Sequence, residues 1–93
     1  MENEVATSLI VTTKSSFMNV DGNELLSVKA GVPVELAMEQ AATLLDCIER
    51  VVLNGEALGK STQTNCLQYL TNLARALVNA SYEGLCEYER NLE

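Results

Sequence analysis

The 93-residue chain predicts an α+β, mainly helical fold. An N-terminal β-hairpin precedes an antiparallel helical hairpin, and two copies pair as a dimeric four-helix bundle. Three observations lead there. Asp21-Gly22 stands between segments 17–20 and 24–30, and Asp-Gly suits a two-residue hairpin turn because both central positions need positive φ. Two later stretches carry apolar residues alternating four and three apart, the spacing of an amphipathic helix. A single small domain of this kind buries little core by itself, and wide apolar stripes leave surface for a second copy.

Residues 1–8 are polar and acidic and are expected to be loosely held. The β-hairpin region covers 9–30. It opens on Leu9-Ile10-Val11-Thr12-Thr13, whose β-branching favours a strand. Lys14-Ser15-Ser16 interrupts it. A turn at Asp21-Gly22 sets Phe17 opposite Leu26 and puts Val28 on the same face. Gly31-Val32-Pro33 ends the strand, and Pro33 suits a first helical position because its missing N–H would have no partner there.

The first helix is predicted over 33–54. Ala37, Ala41, Leu44, Ile48 and Val51 form its apolar seam, and Met38, Leu45 and Val52 form a flanking stripe. Glu35, Glu39, Asp46 and Arg50 lie opposite, with Asp46 and Arg50 in the favourable order for an ion pair. Asn54-Gly55 is a C-terminal stop. After a connection at 55–60, Ser61 or Thr62 can cap a second helix over 62–82. Its seam is Cys66, Leu70, Leu73, Leu77 and Ala80. Gly84 is expected to weaken or break that helix, leaving 83–93 as an acidic tail with a last turn or two.

Net charge is -7, from 6 basic and 13 acidic residues, and is unevenly placed. Residues 61–82 carry one charged side chain, Arg75, whereas 83–93 sum to -3. An acidic chain is a poor ligand for phosphate, so neither direct nucleic-acid binding nor attachment to anionic membranes is expected. The chain has no His, the commonest general base and metal ligand. Glu35, Glu39, Asp46 and Glu49 occupy a polar helix face, where nothing splits their pKa values for acid–base work. Gly55–Ser61 lacks the spacing of a phosphate loop, with only three residues between its glycines. No enzyme activity, metal or cofactor is expected. Cys47, Cys66 and Cys86 are odd in number and widely spaced, which fits reduced thiols in a cytoplasmic protein; Cys86 alone is expected to be exposed. Met1–Thr7 lacks the basic and apolar regions of a secretory signal, and no apolar run is long enough to span a membrane.

Leu25–Pro33, continuing through Ala37-Met38-Glu39-Gln40-Ala41 and Leu44-Leu45, resembles a family of small proteobacterial proteins, frequent in pseudomonads, known only as a domain of unknown function. Tyr69-Leu70 and Ala74-Arg75-Ala76-Leu77-Val78 are similar to its second half. The resemblance covers roughly residues 17–80 and is made mostly of core positions. Met38 stands where Leu is usual, Ala42 where Ser is common, and Leu26 where an aromatic is frequent. It implies a fold and no chemistry.

The leading expectation is a non-enzymatic protein-binding or regulatory module that acts as a homodimer and also meets an unidentified protein. Cys66, Tyr69, Leu70, Leu73 and Leu77 are the candidate dimer interface. Asn65, Gln68, Asn72, Arg75 and Asn79, the weakly charged face of helix two, and Glu83, Glu87 and Glu89 are the candidate partner site. One alternative is an acidic inhibitor carried by a phage or mobile element, an anti-CRISPR-like or DNA-mimicking protein that occupies the basic groove of a host nucleic-acid-binding or defence complex. In that reading Glu93 joins the three other tail glutamates. The other alternative is a helical binder of a small ligand.

Overall fold

The computed structural model describes residues 10–54 and 58–92. Four two-residue strands, β1 (Ser15–Ser16), β2 (Asn19–Val20), β3 (Asn23–Glu24) and β4 (Ser27–Val28), precede two long helices, α1 (Val34–Asn54) and α2 (Lys60–Leu92). The fold is α+β and mainly helical.

The strands form one hairpin. Asp21 and Gly22 take φ of 51° and 80°, the two-residue turn that an Asp-Gly pair predicts. Asn19 pairs with Glu24 and Val20 with Asn23; farther from the turn Ser16 pairs with Ser27 and Ser15 with Val28 in the same register. Phe17 N–H donates to the Leu26 carbonyl at 3.1 Å, so these two residues oppose one another as expected. Phe17 and Val28 turn inward, onto Ala76, Ala80 and Leu77 of α2, while Leu26 remains half exposed. Lys14 closes on Glu24 at 3.0 Å. Hydrogen bonding from Ser16, and then from Lys14, holds the Glu24 carboxyl below the usual carboxylate range.

The strand expected over 9–13 is reduced, from Ile10 onward, to one antiparallel bridge between Val11 and Pro33; Leu9 lies outside the described residues. The segment's backbone groups are divided among three neighbours. Thr12 N–H donates to the Val32 carbonyl at 2.8 Å, and Gly31 N–H to the Thr12 carbonyl at 2.9 Å. Val34 N–H, which lacks a partner within α1, donates to the Ile10 carbonyl at 3.0 Å. Thr13 N–H donates to the Ala80 carbonyl of α2 at 3.1 Å. The Thr12 side chain, 2 % exposed, donates to the Lys29 carbonyl at 2.7 Å and accepts from Val32 N–H at 3.1 Å. One buried hydroxyl thus fixes the passage from hairpin to helix.

α1 starts one residue later than expected. Pro33 sits just outside, its carbonyl accepting from Leu36 and Ala37. At the far end Asn54 Nδ2 donates to the Arg50 carbonyl at 3.2 Å; Gly55 lies outside the described residues. α2 begins before Ser61 and Thr62. Gly59, with φ of 85°, is its boundary residue, and the Gly59 carbonyl accepts from Gln63 N–H at 3.0 Å. The Asp46–Arg50 ion pair is not formed; among the described residues the one ion pair is Lys14–Glu24.

The largest departure is at Gly84. α2 runs unbroken through it to Leu92, so the second helix does not end at 82, and residues 83–92 are helix rather than tail. The helical propensity cost of one glycine is about 1 kcal/mol. Here the missing side chain admits another backbone: a Cβ at Gly84 would overlap the Val11 carbonyl oxygen and lie 2.8 Å from its carbonyl carbon. Ala76, Ala80 and Gly84 are four apart and all buried, a row of small residues along which the hairpin and the segment Ile10–Thr13 (the strap) approach α2 closely.

The helices pack through small residues as well, with Ala37 and Ala41 of α1 and Ala74 of α2 buried. Leu44, Ile48 and Val51 are only partly covered, as are Cys66, Leu70, Leu73 and Leu77. Among the described residues no large side chain is fully buried. The molecule measures 50 × 34 × 15 Å, with a radius of gyration of 15.8 Å. A 93-residue domain of ordinary compactness has about 12 Å. The long dimension is that of α2, whose 33 residues rise about 50 Å. The chain is therefore long and flat.

Candidate functional site

A thin slab exposes apolar side chains that a second layer would cover, and two such surfaces lie at opposite ends of the helical hairpin. At the connection end, Gln63 Nε2 donates to the Val51 carbonyl at 3.2 Å and ties α2's first turns to α1's last. Beside this tie Val51, Cys66, Tyr69 and Leu70 line a shallow apolar groove of about 400 Å³, with Thr62 and Asn65 at its edge. Tyr69 is 55 % exposed, Leu53 71 %, and Val52 and Leu58 about half.

At the other end, α1 begins where α2 approaches its finish. Ile10, Val34 and Met38 face Val78, Tyr82 and Leu85 across a groove of about 490 Å³. Ser81 lies on the floor, and its hydroxyl donates to the Leu77 carbonyl at 2.8 Å, which leaves the floor chemically apolar. Glu35 stands on the wall. Tyr82 is 64 % exposed. A hydrogen bond to Cys86 one turn on, followed by the charge of Cys86, raises the Tyr82 phenol above its ordinary range, with smaller contributions from burial and from the carboxylates of Glu83 and Glu89. The sign follows: whatever stability the Tyr82 proton contributes is present below the ordinary tyrosine range and is lost as pH rises through the raised value. In a phenolate absorbance titration Tyr82→Phe is expected to remove an ionisation that lies above the ordinary tyrosine range. Loss of a phase within the ordinary range would contradict the assignment.

The predicted dimer residues divide. Tyr69 is exposed, whereas Cys66, Leu70, Leu73 and Leu77 are partly covered within their own chain. Asn65, Gln68, Arg75 and Asn79 are exposed and Asn72 is partly buried. Glu83, Glu87 and Glu89 are exposed on helix α2 rather than on a tail, and Glu93 lies outside the described residues. At about 100° per residue Glu83 and Glu87 share a side, while Glu89 follows Tyr82 and Leu85 toward the groove. The expectation that Cys86 alone is exposed is overturned. Cys47 is exposed, and Cys66 and Cys86 are half-buried, because Cys47 falls outside the seam of α1.

The groove at the Ile10 end was not anticipated. Its signal is nevertheless present: Val78, Tyr82 and Leu85 are four and three apart, and Val34 and Met38 are four apart. What hides it is that its members belong to three segments, one of them past the expected helix end.

Among the described residues no three His, Cys, Asp or Glu side chains converge as a metal-binding group, and no helix is long and apolar enough to cross a membrane. No curated protein and no solved structure matches the chain. A family model described as protein of unknown function, DUF3077, matches residues 10–83, from the strap through the start of α2's last turns. That span holds the hairpin, α1 and both walls of the groove as far as Tyr82, so the chain belongs to the DUF3077 family.

Proposed function

We propose that this chain is a non-enzymatic protein-binding module that acts as a homodimer. The observation that supports it most is the apolar surface left in water. Among the described residues no large side chain is fully buried, while Leu45, Leu53 and Tyr69 are each more than half exposed. A second copy is a direct source of cover. The connection end suits it: Val51, Cys66, Tyr69 and Leu70 are apolar, and residues 61–82 bring one charge, so like charges need not meet across a symmetry axis. Tyr is a frequent interface anchor because it couples a large apolar body to a polar tip.

Tyr69→Glu tests the surface. Full burial of one such side chain is worth about 1.5–3 kcal/mol, so the variant is expected to raise the dimer dissociation constant at least about tenfold. Thr71→Glu, exposed and about 160° round α2 from Tyr69, is expected to leave it unchanged. Equal effects of the two changes, read by sedimentation velocity, would contradict this placement.

A further inference from the structure

We propose that the groove between Val34 and Met38 of α1 and Val78, Tyr82 and Leu85 of α2 receives an amphipathic helix from a protein partner. That helix carries aliphatic anchors on one side and Lys or Arg beside them. The inference rests on the reading of the chain as a protein-binding module, and it names the class of partner.

Shape and chemistry point the same way. The groove is about 490 Å³, open rather than closed over, and mostly apolar; the one donor of the buried Ser81 hydroxyl is taken by the Leu77 carbonyl. From Val78 to Leu85 it follows two turns of α2, about 10 Å. Two or three aliphatic side chains at helical spacing fill such a trough in the helix-in-groove mode of recognition. Ile10 continues the apolar wall from the strap.

The rim decides the occupant. Glu35 is on the wall, and the fields of Glu83 and Glu89 reach the Tyr82 phenol. Among the described residues no Lys or Arg lines the groove and no ion pair engages these carboxylates. A second copy seated groove to groove would set each acidic rim against its twin, and juxtaposed like charges oppose association. A basic amphipathic helix satisfies floor and rim together. The dimer surface around Tyr69 is a separate place: Met38 and Val51 are thirteen residues apart on α1, about 20 Å along its axis.

The test uses the full chain and a synthetic 18-residue probe of Leu and Lys, with Leu at helical i, i+3, i+4 and i+7 spacing. The comparison peptide has the same Leu pattern with Glu in place of Lys. Calorimetry is expected to give a dissociation constant on the order of 10 µM for the Leu–Lys probe and at least about tenfold weaker binding of the Leu–Glu probe. Leu85→Asp, at a partly exposed position, is expected to weaken the first at least about tenfold while helical circular dichroism is unchanged. Glu35→Gln with Glu89→Gln is expected to weaken it about three- to tenfold and to flatten its salt dependence. Asp46→Asn with Glu49→Gln, farther along α1, removes equal charge and is expected to have no such effect. Equal binding of the two peptides, full binding by the Leu85→Asp variant, or no binding of the Leu–Lys probe would each overturn the proposal. Light scattering on the same samples separates the two readings. A 20 kDa species that ignores the probe refutes the groove alone, and a 10 kDa species that binds it refutes the dimer alone.

Discussion

Gly84→Ala is expected to destabilise the protein by about 2 kcal/mol, although alanine is the better helix former by about 1 kcal/mol. The substitution tests the close approach of the strap to α2. A Cβ here meets backbone, the Val11 carbonyl and, at 3.2 Å, the Thr12 Cα, and backbone cannot rotate aside as a long side chain can. The strap must then lift from the helix. Lifting it strains the Thr13 N–H bond to the Ala80 carbonyl and the bridge from Val11 to Pro33. A small domain has a few kcal/mol of stability in all, so the change should lower the melting temperature by roughly ten degrees. Urea denaturation is the direct check. An unchanged or higher midpoint would show that Val11 does not lie against Gly84.

Thr12→Val is expected to be at least as damaging, at about 3 kcal/mol. Valine matches threonine in shape, so packing is conserved and the loss is the hydroxyl. That hydroxyl donates to the Lys29 carbonyl and accepts from Val32 N–H, and both groups would lose a partner near a site only 2 % exposed. A hydrogen bond is worth about 1 kcal/mol net, and a buried polar group left without one costs about 1–3 kcal/mol. Thr12→Ser retains the hydroxyl and should recover most of the difference. Amide exchange at Val32 should quicken in the valine variant and stay slow in the serine one. Equal stability of the two variants would place the effect in packing instead.

Both positions mark the limit of what single-sequence patterns carry. The hairpin was legible because Asp21-Gly22 has a local requirement, positive φ at two successive residues, that few other pairs satisfy. The seams of α1 and α2 were legible because their four-and-three spacing repeats over several turns. Gly84 was misread because its role is non-local. Propensity alone counts it as a helix breaker, and nothing near it in sequence says that Val11 will lie across it. Thr12 was read as a strand former, whereas its hydroxyl serves residues 29 and 32, more than sixteen positions away. The weakly charged face of α2 was visible in composition. The groove was not, since it takes Ile10 from the strap and Leu85 from beyond the expected helix end.

The homodimer is proposed to cover apolar surface that a single chain leaves in water. Leu45, 59 % exposed, Val52 and Tyr69 are large apolar groups that nothing among the described residues covers. Light scattering after size exclusion, at about 10 µM, addresses this most directly, together with the concentration dependence of the melting temperature. The predicted result is a mass of twice the 10.1 kDa chain and a melting temperature that rises with concentration, as mass action requires when folding and association are linked. A monodisperse 10 kDa species with a concentration-independent melting temperature would contradict it.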